Sequence, residues 1–292
     1  DNLPVTHKHR FVVLAIDRKT GDTRWDKAVH EAIPVEGGHY TASLASASPV
    51  TDGEHVYAFF GSFGLFCLTW EGDFVWKKHF GQMHTKHGHG EGASPALFGD
   101  TLVVNWDHEG ESFIVALNKR TGKELWRSER AEVTSWATPI IVEHNGQPQV
   151  IVPGTDRVRA YGLKSGDVIW QCGGLSNNIV ATPVYADGIV YIGSSYEKRS
   201  LLAIKLDGAK GDITDTRHIA WSRRHGTPYV PSPLLVGGHL YFLAHYQNVL
   251  SRADAKTGKD AGGPFRLGGI RNIYASPVAA GGRSYVTAVD SA

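Results

Sequence analysis

An all-β fold of repeated four-stranded sheets, a β-propeller, is what this chain predicts, and three observations predict it. Segments built on Ser/Thr-Pro recur with prolines at 49, 95, 139, 183, 233 and 277, so the spacing runs from 44 to 50 residues. After each proline comes an apolar run, a Gly-bearing turn and a strand of alternating polarity, and the run Ala-x-Asp-x-x-Thr-Gly-x-x-x-Trp closes the repeat. A period in the forties with strand content describes a sheet that cannot bury both faces without neighbours.

The elements follow in order. The N-terminus supplies only the last two strands of a repeat, with the closing run complete at Ala15, Asp17, Thr20, Gly21 and Trp25. Five full blades follow at about 47–76, 93–126, 137–170, 181–221 and 231–262. Their first hairpins turn at Asp52-Gly53, Gly99-Asp100, Asn145-Gly146, Asp187-Gly188 and Gly237-Gly238, and alternating strands such as His55–Phe59 flank those turns. The closing run is nearly complete at Ala116, Asn118, Thr121, Gly122 and Trp126, and weaker at Ala160, Gly162, Ser165, Gly166 and Trp170. In the last blade it keeps Asp254, Thr257 and Gly258, with Gly262 where Trp is expected. The chain then holds the first two strands of another repeat, at 275–290. Pairing of 275–290 with 11–25 as a composite blade closes a ring of six within one domain, 1–292; the alternative is part of a seven- or eight-bladed ring with open edges.

The chemistry of the closing run is local. Asp or Asn and Thr bond the backbone of a tight turn, Gly supplies a positive φ, and Trp packs over the neighbouring blade with its ring N–H bonded back. Trp25, Trp76, Trp126, Trp170 and Trp221 therefore read as cement between blades.

At these residues the chain resembles the pyrroloquinoline-quinone-like repeat propellers, whose hallmark is this tryptophan-docking run, from about Phe11 to Val289. Relatives include quinoprotein alcohol dehydrogenases and the propeller lipoprotein of the outer-membrane β-barrel assembly machine. The resemblance implies a periplasmic or secreted location. The family's dehydrogenases carry vicinal cysteines near the quinone, whereas Cys67 and Cys172 stand apart, so the reading sets quinone-dependent oxidation aside as a distant alternative.

Composition fits a turn-rich all-β domain: 41% apolar residues, 34 Gly and 13 Pro in 292 residues. A net charge of +1 implies no basic face for nucleic acid, and no apolar run reaches the length of a membrane span. Cys67 and Cys172 lie two blades apart and are not expected to pair.

Histidine is the unusual residue, with 15 copies. Propeller topology sends the loop entering each innermost strand to one face, and nine histidines fall in that face's loops. His84, His87 and His89 stand beside Glu91, while Trp106-Asp107-His108-Glu109 enters from the next blade. Two histidines one residue apart in extended backbone point the same way, and Gly88 and Gly90 admit a close approach. Imidazoles and a carboxylate converging from separate loops are a ligand set for zinc, with calcium or manganese as alternatives. His87 and His89 lead as expected ligands, followed by His39, His84, His108 and Asp107.

A bound divalent ion would activate water and polarise an ester, lactone or phosphoester, with Glu91 or Glu109 as general base. Arg271, Trp106, Trp136, Tyr229, His225 and His245 are expected to line the mouth for a small-molecule or polymer ligand. Beside this leading expectation, a metal-dependent hydrolase, stands a non-catalytic scaffold that grips a protein partner. Polar loop histidines that merely bond backbone or solvent are its structural counterpart.

Overall fold

A computed structural model describes residues 5–244 and 247–289. The chain divides into two compact units, the first ending at Val133 and the second starting at Thr134. Apart from two 3-10 turns, Gly61–Phe63 and Lys86–Gly88, the regular elements among the described residues are strands.

The first unit opens with a two-stranded antiparallel sheet, β1 (His9–Ile16) with β2 (Thr23–Ala32). Two four-stranded meanders follow: β3 (Val50–Thr51), β4 (His55–Phe59), β5 (Leu65–Thr69) and β6 (Phe74–Lys78), then β7 (Ala96–Phe98), β8 (Thr101–Trp106), β9 (Ser112–Asn118) and β10 (Glu124–Arg130). Both faces of the first meander are covered, because its inner strands are apolar at successive positions and successive side chains point to opposite faces. Tyr57, Phe59, Leu65 and Cys67 pack with Leu102, Val104 and Val115 of the next sheet. On the other side, Ala58 and Leu68 pack with Val13, Trp25 and Val29.

The second unit repeats the plan. It contains β11 (Ile140–His144), β12 (Gln147–Val152), β13 (Val158–Gly162) and β14 (Val168–Cys172), followed by β15 (Val184–Ala186), β16 (Ile189–Ser194) and β17 (Ser200–Lys205). Then come β18 (Gly211–Asp212), β19 (Ile219–Arg223), β20 (Leu234–Val236), β21 (His239–Leu243), β22 (Val249–Asp254), β23 (Phe265–Arg266), and the terminal hairpin β24 (Val278–Ala280) and β25 (Arg283–Tyr285). Alternate residues of β17 serve two cores: Leu202 and Ile204 pack with Ile151, Val158 and Trp170, while Leu201 and Ala203 pack with Leu240 and Phe242.

Two departures from the expected repeat appear here. The 50-residue interval holds an inserted strand, β18, which adds in parallel to the outer edge of β14 through Trp170↔Gly211 and Gln171↔Asp212. Arg157 clamps this insertion by donating to Asp212 Oδ2 at 2.6 Å. In the blade expected to end near 262, the fourth strand forms later, at Phe265–Arg266, paired to Leu250 and Val249. Without a tryptophan at Gly262 that strand has no docking ring to set its position.

The closing run works as a three-part joint. In all five Trp-bearing strand pairs one residue bulges immediately before the tryptophan: Arg24, Val75, Leu125, Ile169 and Ala220. Such a bulge re-aims the side chain that follows it. Opposite each tryptophan sits a small residue, Ala15, Cys67, Ala116, Ala160 or Ala203, which leaves room for the indole. The rings of Trp25, Trp76 and Trp221 then cover Gly72, Gly122 and Gly258 of the next repeat, where an added Cβ would meet ring atoms at 2.8, 2.7 and 2.6 Å. Their Nε1–H groups donate to the carbonyls of Trp70, Lys119 and Ala255 at 3.1, 3.0 and 2.9 Å.

Trp170 is the exception. Its Nε1–H donates within its own sheet, to Gln149 Oε1 at 2.9 Å, because the insertion occupies the place of the next docking turn. The Ser/Thr-Pro segments form a second set of joints near the first strands. The Ser48 N–H donates to Ser94 Oγ, Thr182 N–H to Ser232 Oγ and Ser232 N–H to Ser276 Oγ, each at 2.9 Å.

Candidate functional site

In the first unit the histidine-bearing segment 83–92 is held by two half-buried carboxylates. Glu36 accepts from the Thr85 N–H at 2.9 Å through Oε1 and from the Thr85 hydroxyl through Oε2. Glu91 accepts from the Ser62 N–H at 2.7 Å and also bonds the Ser62 hydroxyl, whose oxygen in turn accepts the Met83 N–H at 2.8 Å. Gly61 is required here, since a Cβ on it would fall 1.2 Å from Glu91 Oε2. Burial pushes the Glu91 carboxyl up to about 7, outweighing the Ser62 bonds that lower it, and the neighbouring charge of Glu36 adds to the rise.

The imidazoles sit on top of this latch. His89 lies between His39 and His87, with ring centres 4.9 and 5.3 Å apart, and the His39 N–H donates to the His89 carbonyl at 2.9 Å. Burial first, and then the two neighbouring rings, lower the His89 pKa from its usual value. His39 Nδ1 is bonded to Thr41 Oγ1 at 2.7 Å. His87 is exposed and adopts φ +60°, an uncommon conformation for a residue with a side chain. His84 is exposed, 3.8 Å from Glu36.

The next loop is committed inward. Asp107 is fully buried against Arg130, with guanidinium bonds of 2.7 Å to Oδ1 and 3.0 Å to Oδ2, and the Asn105 amide also donates to it at 3.1 Å. His108 accepts the His84 N–H on Nδ1 at 3.2 Å and therefore donates from Nε2 to the Glu111 carbonyl at 3.2 Å. Both ring nitrogens are thus engaged. Trp106 is a core residue, 2% exposed and stacked on Phe113 with centres 5.7 Å apart. Glu109 is exposed, and its N–H donates to the His84 carbonyl at 2.8 Å.

Among the described residues no three His, Cys, Asp or Glu side chains come together as a group able to hold an ion, and two of the expected ligands are committed elsewhere. The physical reason is plain for Asp107 and His108, whose donor and acceptor atoms tie backbone and guanidinium together. Arg130 is the important residue that sequence reading missed. Its only signal was a buried, alternating position at the end of β10.

In the second unit Tyr229 is buried and stacked on the exposed Tyr196, with centres 6.1 Å apart and planes 20° from parallel. Trp136 is half-buried, its N–H donating to the Ile179 carbonyl at 2.7 Å. His225 is exposed and its carbonyl accepts from Arg223 Nε at 3.2 Å; Arg223 is paired to Asp260 at 2.9 Å. Arg271 is exposed and lines a cleft with Arg266, Asn248 and Asn272. His245 lies outside the described residues. Cys67 and Cys172 are both free and buried, and burial pushes their thiols up to about 12 and about 11.

Among the described residues no helix is long and apolar enough to cross a membrane. The fold is matched in solved propellers. BamB from Moraxella catarrhalis superposes with a TM-score of 0.67 at 16% identity, covering 96% of this chain and 77% of that one. The quinohemoprotein alcohol dehydrogenase ADHIIG from Pseudomonas putida HK5 superposes at 0.62 with 13% identity, covering 94% and 59%. At such identities the likeness shows the fold, a β-propeller. In sequence, the outer membrane protein assembly factor BamB of Yersinia pestis is 25% identical over 202 residues, 62% of this chain. The matched region spans 46% of that relative's length. A family model described as outer membrane protein assembly factor BamB matches residues 9–263, and the chain belongs to that family of pyrroloquinoline-quinone-like repeat propellers.

Proposed function

We propose that this propeller is a non-catalytic scaffold that binds polypeptide partners during outer membrane protein assembly, at the periplasmic side of that membrane. The observation that carries this reading is the family match over residues 9–263. The local chemistry supports it. Asp107, His108 and Glu91, three of the groups expected to hold an ion or move a proton, bond Arg130, Glu111, His84 and Ser62 of the same unit. Metal-dependent hydrolysis thereby loses two of its expected ligands, Asp107 and His108, and one candidate base, Glu91, is bonded to Ser62. Exposed aromatic residues such as Tyr40 and Tyr196, 61% and 46% exposed, suit a surface that grips another chain.

The test is site-specific photo-cross-linking in the cell envelope, with the reactive group placed at Tyr40 or Tyr196. Adducts with subunits of the outer-membrane assembly machinery are expected. An absence of adducts, together with chelator-sensitive turnover of activated esters or phosphoesters by the purified protein, would restore the hydrolase.

A further inference from the structure

Several arginines of this protein are committed to partners. Arg130, Arg157 and Arg223 are paired with Asp107, Asp212 and Asp260, and Arg252 Nε donates to the Ala261 carbonyl. Arg266 and Arg271 have no ion-pair partner among the described residues, although both line one cleft of about 550 Å³ in the second unit. From Ala261 to Val289 the chain has three arginines and no acidic residue.

The fold presents these two side chains together. Arg266 ends β23, paired to Val249, and the next residue is clamped to Asn248 by two bonds: the Leu267 N–H donates to the Asn248 carbonyl at 2.8 Å, and the Asn248 side-chain amide donates to the Leu267 carbonyl at 2.9 Å. Leu267, Ile270 and Ile273 turn inward onto Leu243, Leu250 and Ala288. Gly269 at φ +77° and Asn272 at φ +49° bend the segment back, so that Arg271 returns to the cleft that Arg266 lines. Two guanidiniums that line one cleft without an ion-pair partner favour an anion there, and their planar donor forks match carboxylates. Asn248 and Asn272 supply further polar lining.

We propose that this cleft receives the carboxylates of an acidic segment of a partner polypeptide, with Arg266 and Arg271 as the paired recognition residues. This rests on the scaffold reading above and names the chemistry of its partner.

The experiment is fluorescence anisotropy of the purified protein with a short labelled peptide alternating Glu with Gly, set beside the same peptide with Gln for Glu. A third probe is vesicles of phosphatidylglycerol. The acidic peptide should bind saturably and lose affinity with added salt, whereas the neutral one should not bind. The Arg266→Gln/Arg271→Gln variant should weaken acidic-peptide binding roughly tenfold or more with an unchanged melting temperature, since both side chains are exposed. Equal binding of the acidic peptide by parent and variant overturns the proposal, as does binding confined to the vesicles. If envelope cross-links form but the peptides are not distinguished, the cleft assignment falls alone. If the peptides are distinguished but no cross-links form, the scaffold reading falls and the acidic-segment site stands.

Discussion

The tryptophan joints and the histidine segment are both built from polar and aromatic residues, yet only one of them announces its role. At the joints the parts are repeated: bulge, small residue and indole recur from Trp25 to Trp221, and a covered glycine completes the joints of Trp25, Trp76 and Trp221. In the segment 83–92 the anchoring bonds are each made once, with a residue far along the chain: Thr85 with Glu36, 49 residues away, and Ser62 with Glu91, 29 away. Asp107 and Arg130 are 23 apart and likewise unrepeated. Repetition exposes a structural role, and a one-off network looks like chemistry until its partners are seen.

The largest effect should come from breaking the one-off network at its floor. Arg130→Ala strands the Asp107 carboxylate in a fully buried site, and denaturant unfolding should show a loss of about 3–5 kcal/mol. A loss below about 1 kcal/mol would mean that solvent reaches Asp107.

Next comes a comparison of glycines. Gly122 and Gly208 share φ +67°, but a Cβ at Gly122 meets the Trp76 ring at 2.7 Å while Gly208 has nothing within 4 Å. Gly122→Ala should therefore cost about 2–3 kcal/mol and Gly208→Ala about 1 kcal/mol, the difference measuring indole docking alone. Equal costs would assign the whole effect to backbone conformation.

The Glu91 latch predicts a pH dependence of definite sign. Its folded pKa lies near 7 and its ordinary value is 4.5, so the folded state retains a proton that the unfolded chain has released. Stability from this group is greatest below about pH 4.5 and declines as pH rises to about 7, by an amount of order 3 kcal/mol, and is flat above. Glu91→Gln should remove that decline relative to the parent protein. A parallel pH profile in the variant would place the titration elsewhere. Smallest of all, His84→Ala should change stability by less than about 0.5 kcal/mol, because that side chain is 70% exposed.

The legible part of the molecule was therefore its periodic part. The alternation of Tyr57-Ala58-Phe59 and the Asp-Gly turns located strands, and the Thr-Gly and Trp positions located the joints. The inserted strand at Gly211–Asp212 left only the 50-residue interval as its trace. What was not legible was which histidines and carboxylates were already bonded. His108 reads as a ligand by composition, but its neighbours at His84 and Glu111 consume it, and no spacing rule encodes a backbone N–H aimed at an imidazole. Arg130 sits in an ordinary alternating strand, so nothing in the pattern marked it as the partner of Asp107.

Calorimetric titration of the purified protein with zinc at neutral pH tests most directly whether the segment 83–92 is a carboxylate-held surface loop rather than a metal centre. Only weak, non-saturating heats are predicted, and they should be the same for the parent and for His87→Ala. A one-to-one isotherm of micromolar affinity that His87→Ala abolishes would contradict the scaffold reading at its root.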